Sequence, residues 1–248
     1  MLLAIDTSTE YCSVALLRSA PADAAVSSPQ TWFRHEMTGA VSSTRVLPAI
    51  QELFAESGLT LADCDAIAFG AGPGSFTGLR TATGIAQGLA FGRGLPVVPI
   101  GTLLACAEHA RLRAPGTTRV LAALDARMDE AYWADFAWDD GAHDWRTLHP
   151  ASLDAPAAVG VPDASFTLAG NAAAAFGAQL PAAARATTVD GEALPHALAV
   201  AHAALRAFRA GRVVPADQAA PEYVRDKVAQ TTAERIAARA ARTDGAQG

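Results

Sequence analysis

The chain has 248 residues, enough for one large domain or two small ones, each with its own core. Its formal charge of −6 and pI near 5.5 make the surface as a whole repel nucleic acid, which argues against a stand-alone nucleic-acid binder but leaves room for a local patch or a partner. Cys12, Cys64 and Cys106 fall in no metal or redox spacing, MLLAID has no basic stretch before its apolar run, and no run nears the ~18 apolar residues of a membrane span, so reduced thiols in a cytoplasmic protein with no membrane contact are expected.

In chain order, residues 2–5 and 13–18 read as strands joined by the polar turn Asp6-Thr7-Ser8-Thr9-Glu10, and a third strand is predicted near 32–37. A helix over 43–57 follows, with Ser42 or Ser43 as N-cap and Gly58 as its stop. Val46, Leu47, Ile50, Leu53 and Phe54 give it an apolar stripe at helical spacing. The apolar run 66–69 then enters the loop GAGPGSFTG. Its glycines allow positive φ and close backbone approach, while Pro73 fixes one φ, so this is a shaped turn. A helix over 78–91 leaves that turn and ends at Gly92, Gly94 and Pro96. Gly78, Ala82, Gly84, Ala86, Gly88 and Ala90 keep its surface thin. Each interior glycine costs about 1 kcal/mol against alanine, and the close approach of another backbone is the expected reason. A strand over 97–100 and a helix over 102–112 complete this first series.

A second series repeats it more weakly. Strands at 119–125 and 131–138 flank the turn 126–130, with a third near 144–148; then come a helix around 152–159, a strand at 166–169 and a helix from Asn171. A long helix over 194–210 is ended by Gly211. Two copies of a three-strand meander followed by alternating helices and strands imply a duplicated α/β fold with mixed sheets. Residues 1–102 form one subdomain, with a C-terminal helix returning to it over about 196–230, and 103–195 form the other. The Ala/Pro-rich segment 181–196 and the loop 211–221 read as linkers. In the tail 231–248, Arg235, Arg239 and Arg242 share one helical face; a solvated or frayed end is one reading and a basic strip near RNA the other.

The chemistry-bearing patterns are incomplete. The glycine loop fits no P-loop, because three residues separate Gly74 from Gly78 and Leu79-Arg80 follow; the dinucleotide fingerprint fails at Thr77. Backbone amides at the helix start, with Gly72, Gly74 and Ser75, could still meet an anion near Arg80. The Asp6-Thr7-Ser8-Thr9 turn resembles the first phosphate loop of the actin, hexokinase and chaperone ATPases, except that Ser8 stands where they carry glycine. No two of His35, His109, His143, His149, His196 and His202 are spaced i, i+3 or i, i+4, so no helix presents an imidazole pair to a metal. Ser75 lacks the Gly-x-Ser-x-Gly setting of a nucleophile elbow. Asp125, Arg127, Asp129 and Glu130 cluster in one turn, where ion pairs are the plainer role and acid–base work the sharper one.

AIDTSTEYCSVALL at 4–17, GPGSFTGLRTATGIAQGLAFG at 72–92, VLAALDARMDEAYWA at 120–134 and PEYVRDKVA at 221–229 together resemble the TsaB (YeaZ) family, in order and over nearly the whole chain. The resemblance implies a duplicated actin-like ATPase (ribonuclease H-like) fold. It also implies a non-catalytic subunit of the machinery that places threonylcarbamoyladenosine beside the anticodon of tRNAs reading codons that start with A. The catalytic relative, TsaD, carries a His-x-x-x-His metal pair on the helix after the next strand; here that helix has only His109. No catalytic residue, metal or resident cofactor is therefore expected, and any ATP or ADP only as a weak or interface-shared ligand touching Asp6, Thr7, Gly72, Gly74 and Ser75. Expected partners are a TsaD-type catalytic subunit, a TsaE-type ATPase, a second copy when alone, and tRNA mainly through the complex. The expected interface is Val46, Leu47, Ile50 and Phe54 of the first helix with Arg80, Thr81, Gly84, Ile85 and Gly88 of the glycine-loop helix. Relatives often carry a basic residue at the position of Ala71 and a histidine at that of Ser42. The rival readings are an ATPase using Asp6 and the glycine loop, a metallopeptidase, and an unrelated homodimeric binding module.

Overall fold

A computed structural model of the chain describes residues 1–19 and 29–225. The first lobe opens with the meander β1 (Leu2–Asp6), β2 (Tyr11–Arg18) and β3 (Gln30–Met37), followed by α1 (Ser42–Ser57), β4 (Ala66–Gly72), α2 (Phe76–Arg93) and β5 (Val97–Gly101). After α3 (Thr102–Arg113), the second lobe contains β6 (Arg119–Asp125), β7 (Ala131–Asp139), β8 (Asp144–Asp154), β9 (Thr167–Ala169), the short α4 (Ala172–Phe176) and α5 (Pro181–Arg185), and β10 (Thr188–Asp190). The long α6 (Ala197–Arg209) returns to the first lobe.

The two sheets have one topology. The first runs β3-β2-β1-β4-β5, with the meander antiparallel and β4 and β5 parallel to β1. The second runs β8-β7-β6-β9-β10 with the same directions. This repeated order, with parallel crossovers that run through α1 and α2 in the first sheet and through a 3-10 turn and then α4 and α5 in the second, is the duplicated actin-like arrangement.

Both faces of the first sheet are apolar, so its strands read as continuous hydrophobic runs. Leu3, Ile5, Val14, Leu16, Ile67 and Phe69 pack under α1 and α2, while Leu2, Ala4, Leu17, Ala68, Val98 and Ile100 pack under α6. Leu103, Cys106, Ala107 and Ala110 of α3 cover one face of the second sheet, and Val159, Phe166 and Leu180 cover the other. The result is five layers: helices, sheet, α3 with α6, sheet, helices.

Several local expectations change. Residues 152–154 continue β8, and only the 3-10 turn Pro156–Ala158 remains of the helix predicted around 152–159. Pairing of Leu153 with Tyr132 and of Ser152 with Trp133, plus the Trp133 indole donating to Asp154 at 2.8 Å, overrides the alanine-rich local propensity. The segment read as a linker over 181–196 holds α5 and β10, because Val189 pairs beside Leu168. The helix from Asn171 is only five residues long. α6 starts three residues late: Pro195 keeps Leu194 out of the helical region, and the His196 ring caps the helix by accepting from the Leu198 amide at 3.0 Å. Neither Ser42 nor Ser43 caps α1; Ser42 lies inside its first turn, its hydroxyl bonded to Thr38 and the Gly39 carbonyl. The loop over 211–221 is pinned where Val214 bridges Val97 on the β5 edge. The arginines of 231–248, and residues 226–230, lie outside the described residues. Among the described residues no helix is long and apolar enough to cross a membrane.

Candidate functional site

β1 and β6 each end in an aspartate, Asp6 and Asp125, and their hairpin turns face one another across a cleft of about 390 Å³. Ser8, Thr9, Gly74 and Ser75 line the first wall; Asp125, Arg127, Tyr132 and Asn171 line the second. Gly74 and Ser75 are thus the two of the five expected anion-contacting residues that reach the opening.

The other three are taken up in packing. Asp6 is 1% exposed; its Oδ1 accepts from the Ser8 amide at 3.0 Å and the Ser8 hydroxyl at 2.8 Å, and its Oδ2 has no partner. Burial pushes its carboxyl up to about 6 against these hydrogen bonds. Thr7 is buried and donates to the Gly78 carbonyl at 2.6 Å. Gly72, at φ +126°, lies against the Glu222 carbonyl. The glycines are there for contact within the chain: a Cβ at Gly70 would overlap the Asp6 carboxyl, and one at Gly74 would stand 2.6 Å from the Ser8 carbonyl oxygen. Even the Ser75 amide is spent, on Ser8 O at 2.7 Å. The tight strand-to-helix turn is filled by the chain itself.

Beyond the turn, α2 shows two different glycine environments. Gly78 abuts the Thr7 carbonyl, whereas a Cβ on Gly84 or Gly88 would meet nothing within 4 Å. These two are exposed, one and two turns on from Thr81 and in line with Phe91, which is 80% exposed. Of the other expected interface residues, Leu47 is exposed, Thr81 and Ile85 are partly buried and Phe54 packs against the core. Val46 and Ile50 are corrected to core residues, at 0% and 4% exposure, because that side of the α1 stripe faces β2. Arg80 lies 4.0 Å over the Phe76 ring and donates to the Tyr223 hydroxyl at 3.0 Å. Sequence reading missed Phe91 as a surface group, since an aromatic ending an apolar run reads as core; its place one turn past Gly88 was the available signal.

Folding also gathers three histidines that the sequence leaves far apart. His35 on β3 stacks between Tyr11 (4.3 Å) and His196 (4.4 Å), and His109 on α3 lies 4.9 Å from His196. Burial, then mutual repulsion, lowers His35 to about 4 and His196 to about 3; burial also lowers His109. Among the described residues, no group of three or more His, Cys, Asp or Glu is arranged to hold a metal. The unfolded chain takes up these protons near 6.5 while the folded chain refuses them. The imidazoles' contribution is therefore intact above about 6.5 and is lost as pH falls towards 4, by up to about 1.4 kcal/mol per group per pH unit. Asp6 works in the opposite direction: its buried charge costs stability above about 6, and protonation relieves that cost between 6 and 3.8. His35→Phe keeps the stack and removes one titrating group. Its acid-unfolding midpoint, followed by circular dichroism, should lie at lower pH than that of the wild type.

The family model for TsaD, tRNA N6-adenosine threonylcarbamoyltransferase, matches residues 36–243. Among characterised proteins the chain is similar to the tRNA threonylcarbamoyladenosine biosynthesis protein TsaB of Escherichia coli (strain K12), 46% identical over 139 residues that cover 56% of each chain. It is 49% identical over 133 residues to the TsaB of Haemophilus influenzae, covering 54% of this chain and 52% of that one. The matched stretch spans about half the length of these relatives. Among solved structures, YeaZ from Pseudomonas aeruginosa superposes with a TM-score of 0.80 at 38% identity, covering 90% of this chain and 98% of that one.

Proposed function

Because the chain belongs to the TsaB (YeaZ) family, within the reach of the TsaD-family model, we propose that it acts in making threonylcarbamoyladenosine in tRNA, as a non-catalytic activating subunit. In this reading a TsaD-type catalytic subunit docks on the outer face of α2, a second copy takes that face when the chain is alone, a TsaE-type ATPase joins the pair, and tRNA is met mainly through the complex. ATP or ADP is a shared ligand of the assembly rather than a resident of this chain.

The observation that carries the proposal is the contrast along α2. Gly78 is required by the chain's own packing, but Gly84 and Gly88 are exposed with open space beside them. Two helix-interior glycines that cost about 1 kcal/mol each and serve no internal contact make sense where another backbone comes close. Phe91, one turn past Gly88, adds exposed apolar area to the same face, and Leu47 of α1 is a second exposed apolar side chain. The ATPase reading has less support, since Asp6 is shut behind Gly70 and Ser8.

Gly84→Leu and Gly88→Leu should leave the fold intact by circular dichroism and the thermal midpoint no lower than wild type, because the space beside each is open and leucine is the better helix former. Affinity for a TsaD-type subunit, measured by calorimetry, should fall at least about tenfold, a loss of 1.4 kcal/mol. Wild-type affinity in both variants would remove α2 from the interface.

A further inference from the structure

We propose that residues 221–225, PEYVR, form a clasp that holds the Asp125–Glu130 turn of the second lobe against the first and sets the opening of the cleft. The segment is tied down at both ends. On the first lobe, the Glu222 amide donates to the Ala71 carbonyl at 2.7 Å, at the C-terminal end of β4. Gly72 admits it, because a side chain there would overlap the Glu222 carbonyl. Tyr223 then lies 5.5 Å from the Phe76 ring and accepts from Arg80.

On the second lobe the grip is the Arg225 guanidinium. It meets the Ala126 carbonyl at 3.1 Å, the Met128 sulfur at 3.2 Å and the Glu130 carboxylate at 2.7 Å, three groups of one turn. That turn is under strain: Arg127, Met128 and Asp129 all have φ between 57° and 63°, a conformation that arginine and methionine rarely adopt and that aspartate tolerates better. A run of three persists only where its surroundings over-determine it. Asp125 supplies part of the restraint by accepting from the Arg127 amide at 2.8 Å; from outside the hairpin, the Asn171 side-chain oxygen accepts from the Asp125 amide at 2.9 Å and Arg225 holds the residues that follow. Between the two anchor points lies a cavity of about 260 Å³ walled by Phe76, Leu79, Met128, Tyr132 and Tyr223, which adjoins the main cleft. Whatever draws Arg80 away from Tyr223 loosens the clasp, which gives the α2 surface a route to the cleft without movement of the core. The clasp stands on these contacts alone and does not depend on what docks on α2.

The test is hydrogen exchange on the full chain, read at the Ala126 and Glu130 amides, which bond within the turn to Glu130 O and Arg127 O. Arg225→Gln and Tyr223→Ala should each speed exchange there at least tenfold while the amides of β1 and β4 keep wild-type protection. Arg212→Gln, which breaks an ion pair to Asp144 at the far end of the β7–β8 ladder, should leave the turn unchanged. Wild-type exchange of the turn in both clasp variants would overturn the proposal. So would an equal acceleration by Arg212→Gln, or a loss of β1 and β4 protection in both clasp variants.

Discussion

Gly78→Ala should destabilise the protein by at least about 3 kcal/mol in urea titration, although alanine is the better helix former by about 1 kcal/mol. The added methyl would overlap the Thr7 carbonyl oxygen, a backbone atom that cannot rotate away. Retreat of the β1–β2 turn is blocked from several sides. Asp6 holds Ser8, Ser8 holds the Ser75 amide, and Thr7 itself bonds to the Gly78 carbonyl. Overpacking against a restrained backbone is among the mechanisms that produce large single-residue losses. Gly84→Ala, six residues along the same helix, should do the reverse and stabilise by about 0.5–1 kcal/mol, since nothing lies within 4 Å of the new methyl. A Gly78→Ala variant within 0.5 kcal/mol of wild type would mean that α2 does not sit against this turn as described.

Glu108→Ala is the second large loss, at about 3–5 kcal/mol. Glu108, on α3, is 3% exposed and accepts from three donors. Arg206 of α6 gives it a two-pronged pair at 3.0 and 2.6 Å, and the Trp145 indole on β8 a further bond at 2.7 Å. Arg206 continues to Asp144 at 3.0 Å, which also pairs with Arg212. This network joins the helix layer between the sheets to the second sheet, so truncating its centre takes the two-pronged partner from the half-buried Arg206 guanidinium, leaving it only Asp144, and leaves the Trp145 indole N–H unpaired. Glu108→Gln, which keeps the shape and one acceptor, should lose less. A Glu108→Ala/Arg206→Met double variant should be more stable than the sum of its single losses by at least about 1 kcal/mol, because the two side chains act as one unit. Additive losses in that cycle, measured by thermal and urea unfolding, would show that the pair is not coupled.

The sequence by itself determined what depends on neighbours along the chain. The alternation of apolar runs and helical stripes marks the duplicated series of strands and helices, because one buried face per element has a period of its own. Gly58 and Gly94 end α1 and α2 in the left-handed conformation that a Cβ resists, and such stops are legible from a single residue. The glycine loop announced a tight turn, and spacing alone showed that no two histidines stand i, i+3 or i, i+4 apart. Tertiary structure decided the rest. β10 exists because Val189 finds Leu168 alongside, and β8 outlasts its local propensity because Tyr132 and Trp133 are opposite it. His35, His109 and His196 share no spacing that could foretell their stacking, and Glu108 meets Arg206 only because α6 returns across 98 positions of chain. Gly78 and Gly84 are the same residue in one helix, and only the position of the Thr7 carbonyl makes one indispensable inside the chain and leaves the other open to a partner. Periodicity and φ preference are encoded in a few adjacent residues, whereas the atom that fills the space beside a side chain is set by where distant segments come to rest.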